Sequence, residues 1–351
     1  MKFAIGYQLC EEEGEEPFLS IVRDYKDYVA EIYFPWGDLP SGRAPLSNRR
    51  GYINWEAQDI LIEDLISFRS SGIKLDLLFN ANCYGAYAIS RYLENQVVSI
   101  IDYLGEKVGG IDIVTTTSPF IAYVVKRHFP EIETRASVNM QVGTIEGMKY
   151  LSEIFDSFHV KREFNRNISY LKELKEWADK NNKKLYLLVN SGCLYSCSGQ
   201  IFHDNMVAHE KEIDEIINIS EWTPYVCRNY LKNPSNWHIV LQGTWIRPED
   251  LHNYEELFPV VKLATRMHSR PRLVVDAYTS RNYYGNLLEL FEPGFSSIFF
   301  PYILDNKRFP KDWFNTTSQC SRRCEKCTYC RDVLKEILVS VEEIEDAIQI
   351  E

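Results

Sequence analysis

Four cysteines lie within eleven residues near the end of the chain, in the stretch CSRRCEKCTYC. They are Cys320, Cys324, Cys327 and Cys330, and their spacing is C-x3-C-x2-C-x2-C. Four thiolates from short loops suit tetrahedral Zn²⁺, and the C-x2-C-x2-C part is equally typical of iron–sulfur proteins. The spacing therefore predicts a metal site in this tail and leaves the identity of the metal open.

A second group of cysteines lies in the middle of the chain. Cys193 and Cys197 directly follow the apolar run 184–190, and Cys227 comes later in a polar segment. Two thiolates with three residues between them can reach one ion, and irregular backbone supplies N–H groups to sulfur. We expect the three thiols to bind a metal, with a fourth ligand from the tail, from His252 or from a substrate. The alternative is three unrelated buried thiols.

The composition is that of an ordinary globular protein, with 45% hydrophobic and 25% charged residues in 351. No apolar run approaches the roughly 20 residues of a membrane span, and the N-terminus turns acidic too early for a secretory signal peptide. These features predict a cytoplasmic protein, in which clustered cysteines bind metal more often than they form disulfides. Cys10 and Cys83 stand apart from both groups, and we expect them to be small buried hydrophobic residues.

Short apolar runs alternate with helical patterns from the first residue, which predicts a parallel sheet with helical crossovers. Eight strands close a (β/α)8 barrel, whose active site lies at the C-terminal ends of the strands. The predicted fold is therefore an α/β, TIM-barrel-like (β/α)8 domain, and the alternative is an open doubly wound sheet. Because there are nine candidate strands, we expect at least one not to be a strand. The candidates are 2–8, 28–34, 74–80, 111–117, 134–140, 157–164, 184–190, 238–243 and 260–266.

The chain divides by composition into two parts. A barrel is predicted over 1–310, with an irregular cysteine-containing insertion at 191–236. A cysteine-rich metal-binding appendage is predicted over 311–351. An apolar stripe follows the last cysteine, so the final residues are expected to dock as a helix. The stripe consists of Val341, Ile344 and Ile348.

The segment from about 134 to 285 contains a series of motifs that, in order and approximate spacing, resembles the U32 family, the proteins labelled peptidase U32. The N-terminal half of the chain fits the barrel of that family less specifically. The motifs are RASVNMQVGT (135–144), NRNISYLKELK (165–175), SGCLYSCSGQ (191–200), CRNYL (227–231), RPEDL (247–251) and KLATRMHSRPRLVVDAYTSR (262–281).

This resemblance implies a TIM-barrel-like domain that holds a [4Fe–4S] cluster on four cysteines. It also implies oxygen-independent hydroxylation, since family members act in anaerobic ubiquinone synthesis and in hydroxylation of tRNA or rRNA bases, with prephenate as the implied oxygen donor. Other members are called collagenase-like peptidases, with no agreed catalytic type.

The chain departs from the family motifs at expected cluster ligands. Gln200 is followed by Ile201 where the family has a cysteine, and His252 stands where another is expected. Asn167 replaces a glutamate of the family. Cys197 and the four tail cysteines are extra, so we expect either one relocated cluster completed by the tail or two separate metal sites.

The first functional hypothesis is a redox or hydroxylating enzyme that depends on a [4Fe–4S] cluster held by the three mid-chain cysteines. Arg166 and Arg266 are expected to face a small carboxylate-bearing molecule such as prephenate, because guanidinium groups match carboxylates. RNA is a second substrate class, although the net charge of −11 argues against a general nucleic-acid surface.

Two other classes of function stay open. A hydrolase fits the family label, but the sequence has no H-E-x-x-H or G-x-S-x-G motif, and its nucleophile pair would be Cys193 or Cys197 with His203. A non-catalytic scaffold would use the tail as a structural zinc site and would dock a protein partner through the acidic segment after it. Iron or zinc content distinguishes the scaffold from the cluster enzyme.

Overall fold

A computed structural model describes residues 1–9, 16–37, 39, 41 and 55–343. Cys10 and the predicted stripe residues Ile344 and Ile348 lie outside these ranges. Eight strands, all paired in parallel, form the main sheet. They are β1 (Lys2–Gly6), β2 (Val29–Phe34), β3 (Lys74–Phe79), β4 (Ile113–Thr116), β5 (Glu133–Ala136), β6 (Ser157–His159), β7 (Lys184–Tyr186) and β8 (Val260–Lys262).

Backbone hydrogen bonds join the two ends of this sheet, whose strand order is β7-β6-β5-β4-β3-β2-β1-β8. The Val189 N–H donates to the Lys262 carbonyl (3.0 Å), and the Lys262 N–H donates to the Leu187 carbonyl (2.8 Å). The chain after β7 therefore runs beside β8, which also pairs with β1. This arrangement confirms the predicted TIM-barrel-like (β/α)8 fold rather than the open sheet.

The predicted strand at 238–243 is wrong. This run forms a one-turn helix, Ile239–Gln242, and Val240 and Leu241 of that turn are buried. A short apolar run has no periodicity that separates a buried strand from a buried helix, so its composition misled the prediction. The other eight predicted strands each overlap one observed barrel strand.

Helices connect the strands and cover them, as the alternating pattern predicts. The helix at 168–181 expected from its apolar face, for example, is observed at Ile168–Lys180. The α-helices are α1 (Phe18–Asp24), α2 (Trp55–Ser70), α3 (Arg91–Val108), α4 (Pro119–His128), α5 (Ile145–Leu151), α6 (Ile168–Lys180), α7 (Gln200–Ala208), α8 (Glu210–Asp214), α9 (Val226–Leu231), α10 (Ile239–Gln242), α11 (Pro271–Ser280), α12 (Ser296–Phe299), α13 (Trp313–Ser318) and α14 (Tyr329–Ile337).

The barrel interior contains a fully buried arginine. The Arg135 guanidinium pairs with both carboxylate oxygens of Glu31 (2.6 and 3.1 Å) and with Oε1 of Glu133 (2.8 Å). It also stacks on the ring of Tyr186, 3.7 Å from the centroid, and lies 3.7 Å from Oδ2 of Asp76. Side chains from four strands, β2, β3, β5 and β7, meet here, so they lie inside the barrel. Buried charges are tolerated when they are paired, and this network fixes the side chains of several strands relative to one another.

The cysteine-rich tail packs against the barrel domain. Its last strand, β10 (Leu338–Ser340), pairs antiparallel with β9 (Tyr302–Leu304). The indole of Trp313 stacks on that of Trp245, with ring centroids 5.8 Å apart. After β10, residues 341–343 are helical, as expected for the start of the predicted docking helix, and the rest of that helix lies outside the described ranges. The Val341 N–H donates to the Pro301 carbonyl (3.0 Å).

Candidate active site

Cys193, Cys197 and Cys227 line a single cavity at the carboxyl ends of the barrel strands, called here the barrel-mouth cavity. Cys193 follows the extension of β7, Cys197 lies in the turn before α7, and Cys227 is in the first turn of α9. All three thiols are free and partly buried. The fold therefore brings together the three mid-chain cysteines that the sequence separates by 34 positions, from 193 to 227.

Close backbone packing fixes the segment that carries Cys193. The Gly192 N–H donates to the Glu292 carbonyl (3.1 Å), and Ser191 forms a parallel bridge with Glu292. A Cβ atom on Gly192 would lie 2.1 Å from the Pro293 carbonyl oxygen, so only glycine allows this approach. Cys193 is thus presented to the cavity by a tightly packed strand extension.

Three cationic side chains share the cavity with the thiols. Arg162 donates from Nη1 to Cys193 Sγ (3.2 Å) and to Ser191 Oγ (3.3 Å). Lys262 lies over the ring of Tyr33, with Nζ 3.7 Å from the centroid. Arg266, one of the predicted substrate-binding residues, is buried there. Two acidic residues, Asp204 and Glu292, also line the cavity, so the cations outnumber the acids and an anionic group can be accepted.

Burial shapes the proton affinities of these groups. It raises the pKa of Cys197 and of Cys227, and the charges of neighbouring thiols raise them further. Burial lowers the pKa of Lys262 to about 8; Asp76 opposes this shift, and Arg135 and Arg266 add to it. The thiols repel one another when ionised, and a bound cation would relieve that repulsion.

The donor set suits a thiolate-bound metal in chemical type, since three soft sulfur ligands share one cavity. Among the described residues, however, no three Cys, His, Asp or Glu side chains are already gathered as a metal site. Binding a metal would require the thiols to rotate toward a common centre and a further ligand to complete it. His252, one candidate for that ligand, is exposed and does not line the cavity.

The four tail cysteines line a different cavity, called here the tail cavity. None of the described residues that line it is acidic, and four are arginines. Burial raises the pKa of Cys330 to about 11, against the opposing charge of Arg166. The seven candidate thiols therefore form two groups, three at the barrel mouth and four in the tail. The arginines are Arg166, Arg322, Arg323 and Arg331.

Arg166 lies in the tail cavity and not at the barrel mouth, where a substrate-binding role would place it. Its guanidinium is 4.2 Å from the ring centroid of Trp245 and 5.0 Å from that of Trp313. It donates to the carbonyls of Trp245 (3.0 Å) and Leu241 (3.1 Å). Its Nη2 atom is buried and has no hydrogen-bond partner in the described part of the chain. Burial and the charge of Arg322 lower its pKa to about 10.

Several features of the site are absent from the sequence prediction. Arg162 was expected inside a strand at 157–164, but β6 ends at His159 and a 3₁₀ turn carries Arg162 into the cavity. Cys83, expected to be a buried hydrophobic residue, is only partly buried and lies close to His209. Neither feature has a local sequence signal, because each depends on a distant segment.

Other expected residues are placed as follows. His203, the proposed partner of a cysteine nucleophile, lines the barrel-mouth cavity together with Cys193 and Cys197, and its ring packs edge-on against Tyr225 at 5.2 Å. Three further polar residues near strand ends lie in the wall of the cavity. They are Asn80, Ser137 and Asn139.

Comparison with known proteins gives two informative matches. The chain is 24% identical over 279 residues to an uncharacterized protease, MJ1657, of Methanocaldococcus jannaschii, which covers 77% of this chain and 79% of that protein. Its fold matches the structure of the U32 peptidase Mk0906 with a TM-score of 0.51 at 17% identity, over 75% of this chain and 92% of the other. No family model matches the chain.

The protease match and the U32 peptidase fold support a relationship to the U32 family, which the ordered motifs between 134 and 285 predict. No helix in the described ranges combines the length and the apolar character that crossing a membrane requires.

Proposed function

We propose that the chain is a cytoplasmic enzyme with its active site in the barrel-mouth cavity, where Cys193, Cys197 and Cys227 hold a [4Fe–4S] cluster. The reaction proposed is an oxygen-independent hydroxylation, or a related redox reaction, of a small carboxylate-bearing molecule. The observation that carries the proposal is the presence of three thiols and three cationic side chains in one cavity at the active-site end of a TIM-like barrel.

The side chains have separate roles in this proposal. The cluster, when bound, supplies one-electron redox chemistry and an iron atom that can take a substrate ligand in place of a fourth thiolate. Arg162 donates a hydrogen bond to the Cys193 sulfur, which orients this ligand. Arg266 and Lys262 supply positive charge for the substrate carboxylate, of which prephenate is the example to test.

Metal analysis of the full-length protein, purified without oxygen, tests the cluster. We expect about four iron atoms per chain and a broad absorption near about 400 nm. The variant C193S/C197S/C227S should lose both the iron and the absorption. C83S removes a thiol that belongs neither to the barrel-mouth cysteines nor to the tail cysteines, so it should keep both. A colourless wild-type protein that contains only zinc would contradict the cluster and would favour a scaffold with a structural tail.

Substrate binding is tested separately by calorimetry with prephenate on the iron-loaded protein. Loss of Arg266 in R266Q should weaken binding at least about tenfold, since a buried charged hydrogen bond is worth about 1.5–3 kcal/mol. Binding that R266Q leaves unchanged would remove the carboxylate role from this cavity. RNA oligonucleotides serve as the second ligand class.

We propose a second metal site in the tail, held by Cys320, Cys324, Cys327 and Cys330. Zn²⁺ or a cluster bound by four thiolates carries net negative charge, and the arginines that line this cavity would offset it. The unpaired Nη2 of Arg166 would then have a sulfur to bond. Replacing the four tail cysteines with serine should remove one metal site and leave the iron of the barrel mouth in place.

Peptide hydrolysis is the second candidate function. Its support is that the two relatives are named as a protease and as a peptidase. Hydrolysis of fluorescent peptides by protein that has been treated with chelator and stays folded would favour this candidate. Activity that follows iron content across preparations would count against it.

A further inference from the structure

Cys83 lies at the carboxyl end of β3, in the loop that leads to the 3₁₀ turn Gly85–Tyr87. The Gly85 N–H donates to Cys83 Sγ (3.4 Å), and the thiol is partly exposed. The preceding residue, Asn82, approaches Asp204, whose side chain lines the barrel-mouth cavity (3.5 Å between Nδ2 and Oδ2). Cys83 is therefore beside the active-site end of the barrel, outside both groups of candidate metal ligands.

His209 lies between α7 and α8 and faces Cys83. The imidazole lies close enough to the thiol to share a proton with it, and its Cε1 would be 3.8 Å from a Cβ atom placed on Gly85. Its Nδ1 lies 3.6 Å from Oε1 of Glu212, one turn further along. A thiol, an imidazole and a carboxylate thus stand in sequence, which is the order of groups found where a histidine activates a cysteine.

The electrostatics of the pair agree with this arrangement. The hydrogen bond from His209, with the Gly85 N–H, lowers the pKa of Cys83. The hydrogen bond to Cys83, with the Glu212 carboxylate, raises the pKa of His209 despite its burial. The negative charge of Glu212 opposes this lowering of the Cys83 pKa.

We propose that Cys83 is a nucleophilic thiolate activated by His209 and oriented through Glu212, and that it attacks acyl carbons of peptides or activated esters. The proposal names a nucleophile for the hydrolytic candidate and rests on that candidate. It offers a different nucleophile from the pair of Cys193 or Cys197 with His203.

The step is an ordinary acyl transfer. The Cys83 sulfur forms a bond to the carbonyl carbon, the carbon–nitrogen bond breaks, and the leaving amine takes a proton from His209. Water then attacks the thioester carbon and gives a proton to His209, the carbon–sulfur bond breaks, the acid is released, and the thiolate–imidazolium pair is restored. No electrons leave or enter.

Exposed aromatic and aliphatic side chains follow Cys83 along the chain. Tyr87, Ile89 and Tyr92 are all exposed, and the rings of Tyr87 and Tyr92 are 5.1 Å apart. Exposed apolar groups that follow the nucleophile within nine residues of sequence are candidate contacts for an acyl donor with an apolar side chain. The substrate class is therefore a peptide or ester with a hydrophobic acyl group.

Two measurements on the full-length protein test the proposal. The first is the rate of alkylation by iodoacetamide at about pH 6, followed for each cysteine by mass spectrometry. We expect Cys83 to react at least about tenfold faster than Cys227, and H209Q to slow it by a similar factor. E212Q should slow the alkylation of Cys83 less. E215Q, at an exposed position one turn further on, should leave the rate unchanged.

The second measurement is the acyl adduct formed with 4-nitrophenyl acetate and the hydrolysis of a peptide with a large apolar residue. An acetyl group on Cys83, absent in C83S and reduced in H209Q, supports the nucleophile. Alkylation of Cys83 no faster than that of Cys227 would overturn the activated pair. Fast alkylation without an acyl adduct would overturn acyl transfer. Peptide hydrolysis that C83S leaves intact would place the nucleophile elsewhere while the hydrolytic function stands.

Discussion

Arg162 donates a hydrogen bond to the sulfur of Cys193 across 3.2 Å, from the 3₁₀ turn after one barrel strand to the extension of the next. The arginine is buried, and its second acceptor, Ser191, lies two residues before the cysteine. A cationic donor beside a cysteine stabilises a metal-bound thiolate and fixes its direction.

Substitution of Arg162 should therefore weaken iron binding more than folding. We expect R162M to lower the affinity for iron about 10- to 100-fold, as loss of an outer-shell partner does, and R162K to restore part of it. Competition with a chelator measures the affinity, and circular dichroism checks the fold. Equal iron retention in R162M and the wild type would show that this hydrogen bond has no part in a metal site.

The barrel was predictable because apolar strands and amphipathic helices differ in period over most of the chain. The site was only partly predictable. Cys193 and Cys197 stand after a strongly apolar strand, so their position at the barrel mouth follows from the fold. The partners Arg162 and His209 come from segments whose direction depends on where a strand ends or how two short helices pack. No spacing in the sequence encodes such contacts.

Arg166 illustrates the same limit. Its motif suggested a substrate-binding arginine, yet a helix and two tryptophans that come later in the chain enclose it. Its position directly before Asn167, the N-cap of α6, identifies where the helix starts but not the neighbour that the side chain meets. The later segment between α9 and the tail decides that neighbour, and the prediction misread part of that segment as a strand.

Replacing Arg166 should loosen the tail. R166Q removes stacking on Trp245 and Trp313 and leaves two buried carbonyls without their donor. We expect a loss of about 2–4 kcal/mol in the free energy of unfolding and faster hydrogen exchange over residues 313–340. R166K should recover little of this stability, because an ammonium group does not stack on aromatic rings as a planar guanidinium does and lacks its paired donors. Unchanged exchange in the tail would contradict this anchoring role.

Protonation of Glu133 should make the protein less stable in acid. Burial raises its pKa, but the charge of Arg135 and hydrogen bonds from Lys184 and Ser157 outweigh this and lower it to about 2, from 4.5. Because the folded value lies below the unfolded value, the stabilisation is present above pH 4.5 and is lost as the pH falls toward about 2. Its full size is about 3 kcal/mol.

The variant E133Q measures this contribution. Urea unfolding should find E133Q less stable than the wild type at about pH 5.5, and the difference should shrink by about 2 kcal/mol by about pH 3. E153Q, a change at an exposed position, is the control and should follow the wild type at both values. A difference that stays constant with pH would mean that Glu133 contributes through packing and not through its charge.

Gly192 and Gly105 form a matched pair for testing how tightly the Cys193 segment is held. A Cβ atom on Gly192 would lie 2.1 Å from the Pro293 carbonyl oxygen and 3.0 Å from the Cβ of Phe291. Backbone on one side and a buried ring residue on the other leave little room to adjust. We expect G192A to lower the free energy of unfolding by about 1–3 kcal/mol and to displace Cys193, so that iron binding falls as well.

A Cβ on Gly105, within α3, would meet nothing within 4 Å, so G105A should stabilise the protein by up to about 1 kcal/mol. Urea unfolding and iron content of both variants check these outcomes. If G192A unfolds like the wild type and keeps its iron, the strand extension moves freely and cannot be what positions Cys193.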